Sequence, residues 1–576
     1  MKNISVISPI KRFFNLLKVD RQEVISIYVY ALFNGIITLT LPLGIQAIIN
    51  LIRVGQVSTS WVVLVVIVIA GVAFTGVLQI MQLSVSENLQ QKIFSRSAFE
   101  FAYRIPRLKL EAVDKSYIPE LVNRFFDTLS VQKGLSKILI DFSRASLQVI
   151  FGLILLSLYH PFFILFSVLL VVIVYLIFRF TAPRGLKTSL MTSSYKYEVA
   201  HWLEELARAM ETIKLAGKTP LPLERTDQLV SGYLTSRKSH FKTLVIQYIN
   251  LVGFKVVIAA GLLVIGGLLV INQKMNIGQF VASEIIIILV LTSVEKLILS
   301  METVYDVLTA IEKLGNITDI PLERDNGTKM FSNKKGISVQ LRRLSFKFKG
   351  RRERLLSDLD VSIKTGEKVC LSGENGSGKS LFLQIVAGFY EGFSGSLSFD
   401  KIPLGNLNME ELRSITGDSL SGEDIFKGSL QENITLGKPD ISFEELQKVT
   451  SLVGLTEFIE NLKEGYNTLL LPEGKSLPKS VRLKIKLARC LIGNPKLILL
   501  EDNFNQLNNE VKERFLNYLL AQECTVIAIS NDPMVAKKFQ RLLVLEKGKF
   551  IADDNFSNSI DKGWFSKVFQ TKEIYA

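Results

Sequence analysis

The sequence predicts a multi-domain fold, in which an α-helical membrane domain with six spans precedes an α/β domain. A chain of 576 residues is too long for one ordinary domain. Its 48 % hydrophobic residues and mean hydropathy of +0.30 place part of it in lipid. Long uncharged stretches fill the first half, whereas the second half alternates short apolar runs with amphipathic segments, a pattern typical of a mainly parallel sheet flanked by helices.

The uncharged stretches of the first half define the six spans, because each crossing needs roughly 20 apolar residues. One stretch, 145–178, is long enough for two crossings and contains Pro161, which favours a tight reversal. The spans are therefore predicted within 24–52, 54–86, the two halves of 145–178, 244–272 and 277–300.

Basic residues predict the orientation of these spans. The loops 1–23, 84–137 and 181–243 carry 24 Lys and Arg residues, against two, Arg53 and Lys274, in the alternate loops. Since basic loops stay in the cytosol, both termini are expected there, in a multi-pass protein embedded in membrane lipid. The same loops explain the net charge of +14, so nucleic acid is not expected as a partner. The first 20 residues lack a small-residue cleavage site, and we expect no removable signal peptide.

Two charges fall inside the last two spans. Lys255 lies about ten residues into the fifth span and Glu284 about seven into the sixth, which enters from the opposite side, so a similar depth is expected. Two interpretations stay open: an ion pair between neighbouring helices, or a polar lining of a substrate path. Glu295, near the inner end of the sixth span, is expected to reach the interface.

Composition shifts suggest the domain boundaries. Residues 1–315 form the membrane domain with long cytosolic helical loops, and the polar, turn-rich segment 316–337 is a linker. The α/β domain covers 338–556, followed by a tail, 557–576. The three cysteines, Cys370, Cys490 and Cys524, have no paired or metal-type spacing, which predicts reduced thiols in a cytosolic core.

A glycine-rich motif opens the α/β domain. Residues 373–380 fit G-x-x-x-x-G-K-[ST], with an apolar strand before them and a helix after them. In this motif the backbone N–H groups close on a phosphate chain, the lysine reaches the outer phosphates and the hydroxyl ligates Mg²⁺. The predicted nucleotide-binding residues are Gly373, Glu374, Asn375, Gly376, Ser377, Gly378, Lys379 and Ser380.

A second element of this domain is the segment 496–502, K-L-I-L-L-E-D. Four consecutive aliphatic residues suit a buried strand, and the two carboxylates at its end suit the metal beside the phosphate loop. We therefore predict Glu501 and Ser380 as Mg²⁺ ligands, and place Asp502 next to them.

With these elements the chain resembles a half-transporter of the ATP-binding cassette (ABC) exporter family over nearly its whole length. The segments that carry the resemblance are 104–125, 211–217, 344–348, 431–437 and 494–500, and 211–217 is similar to peptide, toxin and type I secretion exporters. The resemblance implies ATP and Mg²⁺ as cofactors, Phe348 stacked on adenine, and a bacterial inner membrane. It also implies a homodimer, or a heterodimer with another half-transporter, and a periplasm-spanning adaptor protein as a partner.

The chain departs from the family pattern in its signature motif. The family's L-S-G-G-Q, which in that family contacts the γ-phosphate held by the opposite subunit, falls on a segment that retains only the leucine. Pro478 is expected to begin the following helix. The degenerate signature comprises Leu477, Pro478, Lys479, Ser480 and Val481.

The catalytic positions also differ. The family's Asp–Glu order is Glu501–Asp502 here, which leaves Asp502 as a shorter candidate base. The glutamine that senses Mg²⁺ and water aligns with Ser421, and the switch histidine aligns with Asn531. The aspartate of the family's A-L-D segment is Asn508.

These departures lead to two hypotheses, because in such a dimer each ATP would be shared by two subunits. The first is an export subunit that binds Mg-ATP and hydrolyses it weakly or only with a partner. The second is an ATP-binding but non-hydrolysing subunit that regulates or supports an export or assembly complex. The intact phosphate loop predicts binding under both hypotheses, and turnover separates them.

Overall fold

The computed structural model describes residues 7–52, 59–114, 116–328, 335–350, 352–420, 425–503 and 506–569. The chain divides into two compact units. The first contains residues 1–106 and 116–320, and the second contains residues 107–115 and 321–576.

The described part of the first unit is helical. Six helical segments of 32 to 51 residues are long and apolar enough to cross a membrane, which confirms the six predicted spans. At 1.5 Å per residue they are about 48 to 77 Å long, well beyond the ~30 Å hydrocarbon core. Up to Thr318 the chain forms α1 (Ile7–Val19), α2 (Arg21–Thr38), α3 (Thr40–Ile52), α4 (Thr59–Arg104), α5 (Leu110–Val113, in the second unit), α6 (Ile118–Asn123), α7 (Asp127–Tyr159), α8 (Pro161–Arg208), α9 (Met210–Leu215), α10 (Leu221–Gly261), a π-helical segment (Leu262–Gly266), α11 (Gly267–Ile271) and α12 (Ile277–Thr318).

The reversal between α7 and α8 lies where the sequence predicts it. His160 is extended, with φ −162° and ψ 143°, and its ring nitrogen accepts a hydrogen bond from the Phe162 N–H at 3.2 Å. Pro161 follows as the first helical residue, where its missing N–H costs nothing. The chain therefore turns within one residue and begins a new helix.

An ion pair between Lys255 and Glu284, one of the two interpretations left open by the sequence, does not form in the structure. Lys255 on α10 pairs with Glu295 on α12 instead, while Glu284 has no ion pair within the described residues. Counted from the 272–276 turn, Lys255 and Glu295 lie about 26 and 28 Å along their helices, but Glu284 only about 12 Å. The similar depth expected for Lys255 and Glu284 assumed that the fifth span begins near residue 244. The helix α10 begins much earlier, at Leu221.

The second unit contains two main sheets. The larger one has the order β12-β11-β3-β10-β9-β6, and all neighbouring strands are parallel except β11 and β12. The second sheet is antiparallel, with the order β2-β1-β4-β5, and β7 pairs with β8. The strands are β1 (Val339–Phe346), β2 (Leu356–Ile363), β3 (Lys368–Ser372), β4 (Ser394–Phe399), β5 (Ile402–Pro403), β6 (Thr416–Asp418), β7 (Gly428–Ser429), β8 (Leu469–Leu470), β9 (Leu497–Leu500), β10 (Thr525–Ile529), β11 (Arg541–Glu546) and β12 (Lys549–Asp554).

Helices complete the second unit. They are α13 (Lys379–Val386), α14 (Met409–Ser414), α15 (Leu430–Thr435), α16 (Phe443–Leu452), α17 (Thr456–Glu460), α18 (Lys479–Leu491), α19 (Asn509–Ala521), α20 (Pro533–Ala536) and α21 (Phe565–Phe569). The central strands β3, β9 and β10 are buried along their whole length, as the aliphatic runs in their sequence predict.

The buried Lys368 at the start of β3 donates to the carbonyl oxygens of Gly366 (3.1 Å) and Gln522 (2.7 Å), so its ammonium is satisfied inside the protein.

The three cysteines are free and buried, in agreement with the predicted reduced thiols. Burial raises the pKa of Cys370 to about 12, and it also raises the pKa of Cys490 and Cys524. Because the thiolate is the reactive form, we expect a maleimide at pH 8 to label the folded protein at least about a hundredfold more slowly than the denatured protein. Mass spectrometry of timed samples measures this ratio, and equal rates would contradict the buried placement.

Candidate nucleotide-binding site

Four loops meet at one edge of the large sheet. The strands β6, β9, β10 and β3 run parallel, so the segments that follow them lie at the same edge. The phosphate loop follows β3, Glu501 and Asp502 follow β9, and Asn531 follows β10 by two residues. Ser421 follows β6, but it lies outside the described residues and its role stays a prediction.

The phosphate loop adopts a conformation that requires glycine. Gly373 has φ +149°, and a Cβ atom there would lie 2.1 Å from the Leu545 carbonyl oxygen. Gly378, with φ +105°, immediately precedes α13, so the N-terminus of this helix opens toward the loop. The loop therefore has the backbone path that lets N–H groups approach a phosphate chain.

Lys379 begins α13 and bends back over the loop. Its ammonium donates to the carbonyl oxygens of Gly373 at 2.6 Å and Glu374 at 2.9 Å. Burial lowers the pKa of Lys379, and the nearby Asp502 opposes this effect. The ammonium is thus held at the mouth of the loop, where it can exchange backbone carbonyls for phosphate oxygens.

A pocket of about 510 Å³ lies in front of this loop, within the usual size range of ligand sites. It brings together most of the predicted residues, including Phe348, Lys379, Ser380, Glu501 and Asp502. The structure adds five lining residues that the sequence analysis missed: Leu355, Leu381, Gln384, Asn503 and Ile529. Leu381 and Gln384 follow the motif on α13, so helical spacing could have identified them. Leu355 lies just before β2 and Ile529 ends β10, and neither carries such a signal.

Phe348 is held at this pocket by two aromatic neighbours. Its ring packs edge to face on Phe346, with centroids 5.1 Å apart, and on Tyr390, with centroids 5.5 Å apart. This packing restricts the ring to one orientation at the pocket wall. A planar base could stack on it without much loss of side-chain freedom.

The two acids at the end of β9 differ in their surroundings. The Glu501 N–H donates to the buried Ser419 hydroxyl at 2.9 Å, which fixes the backbone at this point. Asp502 is more exposed. Displacement of water by protein atoms raises the pKa of its carboxyl, and the Asn531 backbone and Lys379 partly offset this effect.

Among the described residues no group of three His, Cys, Asp or Glu side chains could hold a metal alone. The hydroxyl of Ser380 and the carboxylate of Glu501 suit Mg²⁺, which usually shares its ligands with substrate phosphates.

The remaining predicted residues lie elsewhere. The degenerate signature does not line the pocket: Leu477 is half-buried, Pro478, Lys479 and Ser480 are exposed, and Val481 is buried. The helix α18 begins at Lys479, one residue after the expected start at Pro478. Asn508 caps α19, because its side-chain oxygen accepts a hydrogen bond from the Val511 N–H at 3.0 Å.

The chain joins a six-span membrane unit to an α/β unit that contains a phosphate-loop pocket. This combination defines a membrane transport protein of the nucleotide-binding class. Two family models match it: "ABC transporter transmembrane region" at residues 24–294 and "ABC transporter" at residues 356–505. The chain belongs to the ABC transporter family, as the resemblance implies, with fused membrane and ATP-binding domains.

Its relatives include toxin translocators. The chain is 28 % identical over 355 residues to the "Toxin RTX-I translocation ATP-binding protein" of Actinobacillus pleuropneumoniae, which covers 61 % of this chain and 50 % of that protein. It is 27 % identical, with the same coverage, to the "Alpha-hemolysin translocation ATP-binding protein HlyB" of Escherichia coli. The chain thus spans about half the length of the curated relatives it matches.

The fold is similar to that of a solved exporter. The structure of a bacterial Atm1-family ABC exporter with ATP bound superimposes with a TM-score of 0.85, covering 96 % of this chain and 99 % of that one. At 18 % sequence identity this likeness concerns the fold alone. It confirms the predicted architecture of a six-helix membrane domain followed by an α/β phosphate-loop domain.

Proposed function

We propose that this protein is an export subunit that binds Mg-ATP and hydrolyses it slowly or only together with a partner. The main support for this proposal is the pocket at the edge of the large sheet. It combines an intact phosphate loop with acids in exchanged order, Glu501 before Asp502. Lys379 and the loop N–H groups would bind the phosphates, and Ser380 and Glu501 would hold Mg²⁺.

The exchanged acids favour slow hydrolysis. A base must lie within hydrogen-bond reach of the attacking water, and a displacement of about 1 Å can cost about a hundredfold in rate. Asp502 is one methylene shorter than the glutamate that the family places at this position. Its carboxylate would have to reach the water through this shorter side chain.

A second candidate function is an ATP-binding subunit that regulates or supports an export complex without hydrolysis. The observation that favours it concerns Asn531, which stands at the position of the family's switch histidine. Both polar atoms of its side-chain amide are bonded to the Gly373 backbone, so no polar atom of this side chain is directed to a terminal phosphate.

The surrounding assembly forms part of the proposal. The basic loops favour cytosolic termini, and the bacterial toxin translocators among the relatives favour a bacterial inner membrane. ABC exporters generally act as dimers, here a homodimer or a heterodimer with another half-transporter. The toxin-translocating relatives favour a polypeptide cargo and a periplasm-spanning adaptor. Co-purification from native membranes would identify such partners.

Phosphate release by the purified protein tests the proposed function. We expect ATP binding with a turnover of about 0.01 s⁻¹ or less, because typical enzymes turn over at 1 s⁻¹ or faster and the altered acids remove about two orders of magnitude. Slow turnover that Lys379→Ala abolishes supports the export subunit, and binding with no phosphate release, either alone or with the co-purified partners, supports the regulatory subunit. A turnover near 1 s⁻¹ that requires Lys379 would contradict both.

A further inference from the structure

The side chain of Asn531 is hydrogen-bonded to the backbone of Gly373, the first residue of the phosphate loop. Its amide oxygen accepts a hydrogen bond from the Gly373 N–H at 3.1 Å, and its amide NH₂ donates to the Gly373 carbonyl oxygen at 2.8 Å. One planar amide thus engages both backbone groups of a single residue. Such a paired contact fixes orientation as well as distance.

Gly373 is a critical point of the loop. It directly follows β3, and its positive φ and the nearby Leu545 carbonyl exclude any side chain there. Its carbonyl oxygen accepts hydrogen bonds from both Lys379 and Asn531. If the Lys379 ammonium turns toward a phosphate, the Asn531 amide remains to satisfy this oxygen and hold the loop in place.

The segment that carries Asn531 is itself fixed on both sides. The Ser372 hydroxyl donates to the Ser530 carbonyl at 2.5 Å, which joins the segment to the end of β3. On the other side, the Lys512 ammonium on α19 lies 3.0 Å from an Asp532 carboxylate oxygen. Asn531 is therefore presented to the loop by a rigid support.

We propose that Asn531 is a positioning residue of the nucleotide site, whose amide holds the backbone of Gly373 and thereby supports the phosphate loop for diphosphates and triphosphates alike. The inference rests on the proposed nucleotide binding and deepens it. A side chain that reads the terminal phosphate would act on ATP alone. Asn531 acts on the loop that both nucleotides use, so this position would not distinguish ATP from ADP.

Calorimetric titration of the purified full-length protein with Mg-ATP and with Mg-ADP tests this role. Asn531→Ala removes two hydrogen bonds to the loop backbone, and we expect both dissociation constants to rise by about tenfold with their ratio unchanged. A merely structural role would lower the thermal unfolding midpoint and leave both constants unchanged. Asn531→His is expected to behave like Asn531→Ala, because the imidazole nitrogens diverge and cannot engage both Gly373 groups.

Asn461→Ala provides the matched control. It also removes an asparagine side chain that donates to a backbone carbonyl, that of Glu457 at 2.8 Å, but Asn461 does not line the pocket, so both dissociation constants should stay within about twofold. The inference would be overturned if Asn531→Ala weakened ATP binding alone, if it changed neither constant, or if Asn461→Ala had an equal effect; nucleotide binding would remain established in each case. A wild-type protein that binds neither nucleotide overturns the proposed function and the inference with it.

Discussion

Replacing Lys379 by alanine is expected to weaken ATP binding by at least about a hundredfold. Its ammonium now rests on the Gly373 and Glu374 carbonyls and is free to bond phosphate oxygens instead. A hydrogen bond to a charged group contributes about 1.5–3 kcal/mol, and a hundredfold change in affinity corresponds to about 2.7 kcal/mol. Equilibrium binding of a fluorescent ATP analogue to the purified protein measures the effect.

The fold of this variant should persist. Burial lowers the pKa of Lys379, which means that the folded state is penalised for carrying this charge, and removing it lifts that penalty at neutral pH. Lys549→Ala is the matched control, since Lys549 is exposed on β12 and does not line the pocket. Equal affinity of the wild type and Lys379→Ala would show that nucleotide binding does not use this pocket.

Breaking the ion pair between α10 and α12 is expected to destabilise the membrane domain by about 2 kcal/mol. Lys255→Met leaves the Glu295 carboxylate in a low-dielectric setting without its partner. The side chains are 31 % and 25 % exposed in the isolated chain, so the expected cost is below the 3–5 kcal/mol of a fully buried pair. Denaturant unfolding in lipid nanodiscs, compared with the wild type, measures the change.

Two further variants test whether the loss of stability comes from the broken Lys255–Glu295 ion pair or from any substitution in this region. The double variant Lys255→Met with Glu295→Met removes both charges and should recover most of the lost stability, as apolar replacements of ion pairs often do. Glu284→Gln, on the same helix, should cost less than about 0.5 kcal/mol, because Glu284 has no ion pair within the described residues. A larger effect of Glu284→Gln than of Lys255→Met would contradict the observed pairing.

The membrane domain could be predicted from sequence because long uncharged stretches and a single proline are local signals. The reversal at His160 and Pro161 needs only the residues on either side of it. The partner of Lys255 could not be predicted in the same way. Pairing depends on the level at which two helices meet, and hydropathy does not reveal how far a helix continues beyond the membrane.

The nucleotide pocket likewise combines residues that local sequence signals identify with residues that they do not. The phosphate loop is a contiguous motif, and the two acids close an evident strand, so both were found. The pocket also contains Leu355, just before β2, and Ile529, at the end of β10, and no spacing in the sequence connects either of them to the loop. Asn531 lines the pocket, but its contact with Gly373 depends on the adjacency of β3 and β10, which no local signal in the sequence reveals.

The length of α8 has a mechanical consequence. Its 48 residues form a rod of about 72 Å, so a tilt of about 5° around one end carries the other end through about 6 Å. Pro183 interrupts the hydrogen-bond ladder inside this rod and supplies a point at which it can flex. Small rotations among tightly packed helices are therefore converted into displacements as large as a side chain, without any helix having to unwind.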